Sequence, residues 1–333
     1  MQLQENFSLA KHNTLGLDIS TRYFCRAHCQ QELSEVLAFA REEKLRILVL
    51  GGGSNIVFTK NFDGLVLMLD FRGVQVDGQK VTVGAGENWH WLVRHTLQRG
   101  LFGLENLSLI PGLAGAAPIQ NIGAYGQELD QVFVELEATD LSTGEEINFT
   151  SSDCCFGYRH SIFKDELKDR MAITHITLRL CSDFTPILNY QDVVNELESL
   201  GEGIPTATDI SDAVIAVRKR KLPNPDKQGN VGSFFKNPEM QSQKLEKFKQ
   251  RWPDVPSRQL QSGVHKIPAA WLIEKAGMKG MSIGDAAVST LHALVIVNRG
   301  NASSGDVLGL GARVEKQVLA EFGIRLEIEP VFY

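Results

Sequence analysis

Two glycine-rich, nearly uncharged segments constrain this chain more than any other feature: LVLGGGSN at residues 48–55 and IPGLAGAAPIQNIGAYG at residues 110–126. Glycine gives up more conformational freedom on ordering than any other residue, so two such segments are costly as mere connectors. A bound dinucleotide would offset that cost, because glycines let backbone N–H groups approach a pyrophosphate. The bland alternatives are a tight turn for the first segment and a buried crossover for the second. The first segment does not match GxGxxG, since Ile56 stands three residues after Gly53, and it has no lysine of the P-loop kind. A nicotinamide Rossmann site and a Walker A site are both disfavoured.

At about 150 residues per domain, 333 residues suggest roughly two domains. The 43% hydrophobic and 22% charged composition is that of a soluble globular chain rather than a disordered or fibrous one. Lys+Arg 34 against Asp+Glu 40 leaves a net charge of −6, which excludes a broad basic surface for nucleic acid. Any anionic ligand must be held by a local site. No stretch reaches the about 18 apolar residues of a membrane span, and residues 1–10 lack the basic and then apolar segments of a signal peptide. A cytoplasmic chain without membrane contact or an evident obligate protein partner is expected. The five cysteines form no CxxC pair, so they read as reduced thiols. Cys25, His28 and Cys29 resemble half a metal site, but no second ligand cluster follows, and no metal is expected.

Periodicity predicts helices within residues 31–44 and 87–98, strands at 46–50, 64–70, 80–83, 132–139 and 171–180, and a helix at 210–221 capped by Thr208 or Asp209. Further helices are expected at 242–251 and 269–276, and a strand at 293–298. A long helix opens with Ser303 and Asp306 as a capping box, buries Val307, Leu310, Val314, Val318 and Phe322, and stops at Gly323. Residues 324–329 read as a terminal strand.

Four further places carry candidate chemistry. In DCCFGYRHSIFK, residues 153–164, Arg159 lies among aromatic residues; it is either an amphipathic surface residue or a clamp for a carboxylate. Ser233, between Gly232 and two phenylalanines, is either inert or a proton donor to a very basic carbanion. No GxSxG elbow surrounds it. Arg218, Lys219, Arg220 and Lys221 form a basic helix end, either solvated or phosphate-binding. Glu327 and Glu329 share one face of an extended segment, exposed by default unless one points into a cleft.

Taken together and in order, these segments resemble the UDP-N-acetylenolpyruvoylglucosamine reductase (MurB) family over nearly the whole chain. The pieces are Asn13 and Thr14, GGGSN at 51–55, the 110–126 segment, YRHSIFK at 158–164, KLPNPDKQGNVGSFFKNP at 221–238, KIPAAWLIEKAGMKG at 266–280 and LEIE at 326–329. Tyr190, in LNYQDV, resembles the longer subtype with an added tyrosine-bearing loop. The resemblance implies an α+β chain with a PCMH-type FAD-binding fold of two lobes plus a C-terminal α+β substrate-binding domain. The expected divisions are 1–70, 71–208 and 209–325, with the tail 326–333 returning to the first lobe.

It implies Arg159, Ser233 and Glu329 as the catalytic residues. Expected FAD contacts are Gly51, Gly52, Gly53, Ser54, Asn55, Pro111, Gly112, Gly115, Ala116, Gln120, Asn121, Gly123, Ala124 and Tyr125. Tyr190, Arg218, Lys221 and Asn237 would contact the UDP-sugar enolpyruvyl substrate, with NADPH as the second cofactor. Two departures stand out: Ala116 and Ala117 replace hydroxyls that some relatives carry near the flavin, and the chain ends at Tyr333, soon after Glu329. Another PCMH-fold flavin oxidase and a non-catalytic nucleotide-binding protein are the competing implications.

Overall fold

A computed structural model describes residues 2–199, 203–260 and 263–333. The chain forms two compact units, the first Met1–Ser8, Ser20–Gly53 and Phe62–Arg220, the second Leu9–Ile19, Ser54–Asn61 and Lys221–Tyr333.

The first unit contains two sheets. One orders its strands Leu3–Ser8, Ser20–Ala27, Phe62–Leu69 and Ile47–Val49, the last three parallel. Parallel neighbours need a crossover, and the helix Gln30–Glu42 supplies it, burying Leu33, Val36, Leu37 and Ala40 against Cys25, Leu65 and Leu67. The other sheet is antiparallel, with the order Glu146–Thr150, Phe133–Asp140, Met171–Arg179, Lys80–Gly84 and Val74–Asp77. The helix Trp89–Leu97 packs Trp89, Leu92 and Val93 with Val81, Val83, Leu136 and Ile176. The Trp89 indole N–H donates to the Leu107 carbonyl at 3.1 Å, which satisfies the one polar atom of that buried ring.

The helix Ala207–Lys221 counts with the first unit, and the division falls after Arg220 rather than at the expected 208/209. The physical reason is packing: Ile210, Ala213 and Val214 bury against Val193 of the helix Gln191–Glu198. Its expected cap also differs. Thr206 and Asp209 cap reciprocally, Thr206 N–H donating to the Asp209 carboxylate at 2.8 Å and Asp209 N–H to the Thr206 hydroxyl at 3.2 Å.

The second unit is built on the antiparallel sheet Asn230–Ser233, Val295–Asn298, Ala286–Val288 and Ser282–Ile283. The helix Ser304–Phe322 covers its core with the expected stripe of Val307, Leu310, Val314, Val318 and Phe322. The Ser303–Asp306 capping box is present, and Gly323 ends the helix in the left-handed conformation. Residues 9–19 are stitched into this unit. Thr14 exchanges bonds with Asn230, its carbonyl accepting at 2.8 Å and its hydroxyl donating at 2.6 Å. The Asn298 side chain donates to the Leu15 carbonyl at 3.0 Å.

The terminal strand differs from expectation. Residue 328 forms only an isolated bridge to Phe235, and the regular pairing is Val331–Phe332 parallel to Ile56–Val57. Tyr333 is anchored, its carbonyl accepting from the Thr59 hydroxyl at 2.7 Å and its N–H donating to Val57 at 3.1 Å. The tail thus pairs with residues expected in the first lobe, but those residues, 54–61, belong to the second unit.

Gly311 sits on the covering helix where an added Cβ would meet the Phe234 ring at 2.6 Å. That ring is fully buried, with Phe235 and Phe332 against it, and has nowhere to yield. Overpacking of about 1–3 kcal/mol should outweigh the gain of about 1 kcal/mol that alanine brings to a helix. Gly311→Ala is therefore expected to lower the midpoint of urea unfolding; a midpoint equal to or above the wild-type value would show that Phe234 can shift.

Candidate functional site

The two glycine segments begin from different local causes and end in contact. The strand Ile47–Val49 runs into Gly51–Gly53, where Gly53 has φ +65°. The second segment carries the 3-10 helix Ala114–Gln120, which ends on Asn121 at φ +45°. An added Cβ on Gly52 would lie 2.8 Å from the Gly112 Cα, and one on Gly115 would lie 2.5 Å from the Ala85 Cβ. These glycines are required by chain-to-chain approach within the protein. Among the described residues, the amides of Gly51, Gly52, Gly112 and Leu113 donate to no protein acceptor. Four such donors beside one another suit a diphosphate, and the loops fit the cofactor expected there. Ala117 points into the core, 2% exposed, whereas Ala116 is half-buried against Gly51. Ser54 and Asn55 count with the second unit, where the Asn55 carbonyl accepts from Val331 at 3.0 Å.

Arg159 sits in a tight turn at φ +53°, with Gly157 and His160 exchanging both backbone bonds at 3.1 Å. A non-glycine residue held there is strained, which is a mark of functional sites. Its guanidinium lies over the Tyr158 ring at 5.2 Å and donates to the Gly123 carbonyl at 2.5 Å and the Asn121 carbonyl at 3.5 Å. Asn121 is fully buried and serves as the hub of this corner. Its side chain donates to Glu128 and to the Gly157 carbonyl, both at 3.3 Å, and accepts from Asp130 N–H at 3.0 Å. Those bonds occupy the Asn121 side chain inside the protein, and its backbone is bonded too, the N–H donating to the Pro118 carbonyl at 3.3 Å and the carbonyl accepting from Arg159.

A second corner of the same unit gathers Tyr125, Tyr190 and Arg218. The tyrosine rings meet edge to face at 5.6 Å, and Arg218 donates to the Tyr125 phenol oxygen. Burial pushes the Tyr125 phenol up, and Arg218 beside it opposes that shift. Desolvation lowers the Arg218 guanidinium, partly countered by Tyr125 and reinforced by the like charge of Arg159. The Arg218 Nε is buried without a partner. An unsatisfied donor of this kind costs about 1–3 kcal/mol, and an incoming anion would relieve it. Asn106, not singled out by sequence, ties this corner together by donating to the Tyr125 carbonyl at 2.9 Å and the Ile187 carbonyl at 3.1 Å. Its only signal was a lone amide within an apolar stretch.

In the second unit Ser233 ends the strand Asn230–Ser233, opposite Val295, across an irregularity that Gly232 allows at φ +68°. Glu329 is its near neighbour along the backbone, since Glu329 N–H donates to the Phe234 carbonyl at 3.0 Å. The two glutamates separate: Glu329 is buried at 7%, whereas the Glu327 side chain is 70% exposed and pairs with Lys236. Asn237 uses its side-chain oxygen to accept from Ala269 N–H at 2.9 Å, so its amide nitrogen remains the group able to meet a substrate. Lys221, the last residue of the helix that carries Arg218, counts with this unit, while Arg220 pairs with Glu196 at 2.6 Å. His292 went unrecognised in the sequence. Its Nδ1 accepts from Leu294 N–H at 3.3 Å, which makes Nε2 the protonated nitrogen, and Lys221 is among the charges acting on it. Among the described residues no cluster of His, Cys, Asp or Glu could hold a metal ion, and no helix is long and apolar enough to cross a membrane.

Comparison with known proteins agrees with this geometry. Residues 224–333 match the profile "UDP-N-acetylenolpyruvoylglucosamine reductase, C-terminal domain", and residues 21–150 match "FAD binding domain". A UDP-N-acetylenolpyruvoylglucosamine reductase of Burkholderia mallei is 46% identical over 99% of this chain and 97% of its own length, and the Burkholderia multivorans protein matches equally. The crystal structure of the Thermus caldophilus reductase superposes with a TM-score of 0.70 at 25% identity, covering 100% of this chain and 99% of that one. p-Cresol methylhydroxylase shares the fold alone, with a TM-score of 0.52 at 10% identity over 97% of this chain and 84% of its own. The architecture is an α+β fold with a PCMH-like FAD-binding domain and a distinct C-terminal domain.

Burial, then the charges of Lys221 and Lys279, hold the His292 pKa below its ordinary value, with Glu274 opposing. As pH falls below about 6.5, the unfolded chain takes a proton that folded His292 refuses, so stability is lost on acidification and unaffected above that range. His292→Gln is expected to lose less stability than wild type between pH 7.5 and 5.5, measured by urea unfolding at both. Equal losses would mean that His292 is not held neutral.

Proposed function

The chain belongs to the UDP-N-acetylenolpyruvoylglucosamine reductase family, and from that premise we propose that it reduces the enolpyruvyl group of UDP-N-acetylglucosamine enolpyruvate to UDP-N-acetylmuramate with NADPH. Membership makes it a flavin-dependent oxidoreductase of peptidoglycan precursor synthesis. A cytoplasmic location belongs to the same reading. Bound FAD would supply the hydride-transfer chemistry between NADPH and the terminal CH₂ carbon of the enolpyruvyl group. The amides of Gly51, Gly52, Gly112 and Leu113 would hold its diphosphate.

The remaining work falls to side chains. Hydride addition leaves negative charge on the adjacent carbon and its carboxylate. Arg159, with its cation fixed by the Asn121 and Gly123 carbonyls, holds that carboxylate and stabilises the charge. Ser233 delivers the proton to the carbon, and the buried Glu329 assists from beside the Ser233 segment. Lys221 and the Asn237 amide contact the substrate diphosphate; Arg218 and Tyr190 contribute from their own corner. The observation that carries the reading is the sorting of Glu329 from Glu327: one carboxyl is buried next to the serine segment while its neighbour two residues away stays in solvent. Burying a carboxyl costs free energy that hydrogen bonds or a paired charge must offset, and carboxyls held in this way cluster at functional sites.

Ser233→Ala is expected to leave flavin reduction by NADPH nearly unchanged while slowing reoxidation by the enolpyruvyl substrate at least about 100-fold. Stopped-flow traces with unaltered reoxidation would remove Ser233 from the mechanism. Lys221→Ala should raise the substrate KM with little effect on flavin reduction, and an unchanged substrate affinity would argue against the diphosphate contact. A yellow protein whose NADPH oxidation depends on the UDP-sugar, with slow oxygen uptake, distinguishes this reductase from a flavin oxidase.

A further inference from the structure

Glycine at position 123 has a second consequence. Residues Gly123–Ala124 and Gln127–Glu128 form a two-stranded hairpin in which Gly123 and Glu128 are direct partners. An added Cβ on Gly123 would stand 2.8 Å from the Glu128 Cγ and 3.1 Å from the Arg159 Nη1. The space left by the missing methyl is therefore where the arm of Glu128 and the head of Arg159 come side by side. The Glu128 Cγ and the Arg159 Nη1 thus lie within about 6 Å of each other, close enough for the carboxylate on that arm to couple with the guanidinium. The Glu128 carboxylate is further steered by the Asn121 amide at 3.3 Å, the same residue whose carbonyl accepts from Arg159. Both side chains are half-buried, where an ion pair is screened less than at the surface.

From this juxtaposition we infer that Glu128 is a positioning residue for Arg159, its carboxylate holding the guanidinium against the Gly123 carbonyl in the orientation the reaction uses. A guanidinium on a long, flexible side chain in a strained turn has other orientations available. The carbonyls of Asn121 and Gly123 fix two of its N–H groups, and a fixed negative charge on the same side selects among the rest. The inference rests on the reading of Arg159 as the group that meets the substrate carboxylate.

The experiment uses FAD-loaded enzyme, with the two half-reactions followed separately by stopped flow. Glu128→Gln, which keeps the shape and removes the charge, should slow reoxidation by the enolpyruvyl substrate about tenfold to a hundredfold, the scale of a small misplacement of a reacting group. Flavin reduction by NADPH should stay within about twofold, and Glu128→Asp should recover part of the loss. In an Arg159→Ala background, Glu128→Gln should add no further loss. Equal slowing of both half-reactions, or loss of flavin, would reduce Glu128 to a structural part of the loop and overturn the inference. Wild-type reoxidation in Glu128→Gln beside slow reoxidation in Arg159→Ala would overturn it too, leaving the role of Arg159 intact. Wild-type reoxidation in Arg159→Ala would remove the reading of Arg159 itself.

Discussion

The first unit depends on a backbone contact too close for a methyl group. Gly52 lies against Gly112, and Gly115 against Ala85, at distances that a Cβ would violate. Close approach of this kind brings two loops together without side chains between them, and among the described residues the amides of Gly51, Gly52, Gly112 and Leu113 are left without protein acceptors. The carbonyls of the second loop have partners of their own: the Gly123 and Asn121 carbonyls accept from Arg159. One glycine-rich loop thus leaves N–H groups without protein acceptors and orients a cation with its C=O groups.

Charge is placed sparingly in a chain whose net charge is −6. Arg159 and Arg218 carry like charges near each other, and the Tyr125 phenol oxygen accepts from Arg218 and partly offsets that repulsion. In the second unit Lys221 acts on a histidine that burial keeps neutral, and Lys236 is neutralised by the exposed Glu327. Other cations sit in ordinary surface pairs, such as Lys80 with Glu135 and Arg94 with Asp212. Such pairs contribute little to stability. Arg218 differs from these, with its Nε buried without a partner.

Much of the fold was legible because its signals are local. The stripe from Val307 to Phe322, the Ser303–Asp306 box and Gly323 specify a helix, its start and its stop without reference to anything distant. The helices at Ser242–Arg251 and Ala269–Lys275 were legible for the same reason. The opening strands Leu3–Ser8 and Ser20–Ala27 were not, because they alternate poorly and derive their stability from pairing across the sheet. The terminal segment misled in the opposite sense: residues 324–329 look like a strand, but the ladder forms at Val331–Phe332, where Ile56–Val57 offer partners.

By itself the sequence determined which residue types stand where: glycines where no side chain fits, an arginine in a tight turn, a serine before two phenylalanines, and two glutamates on one face. It also carried, through the ordered motifs, the family to which the chain belongs. Only the tertiary structure decided which glutamate is buried, and that residues 9–19 and 54–61 join the unit made mostly by the last third of the chain. Those outcomes depend on contacts between residues far apart in sequence, Glu329 with Phe234 and Thr14 with Asn230. No local periodicity encodes a partner two hundred residues away; packing and hydrogen-bond satisfaction select it once the chain has folded.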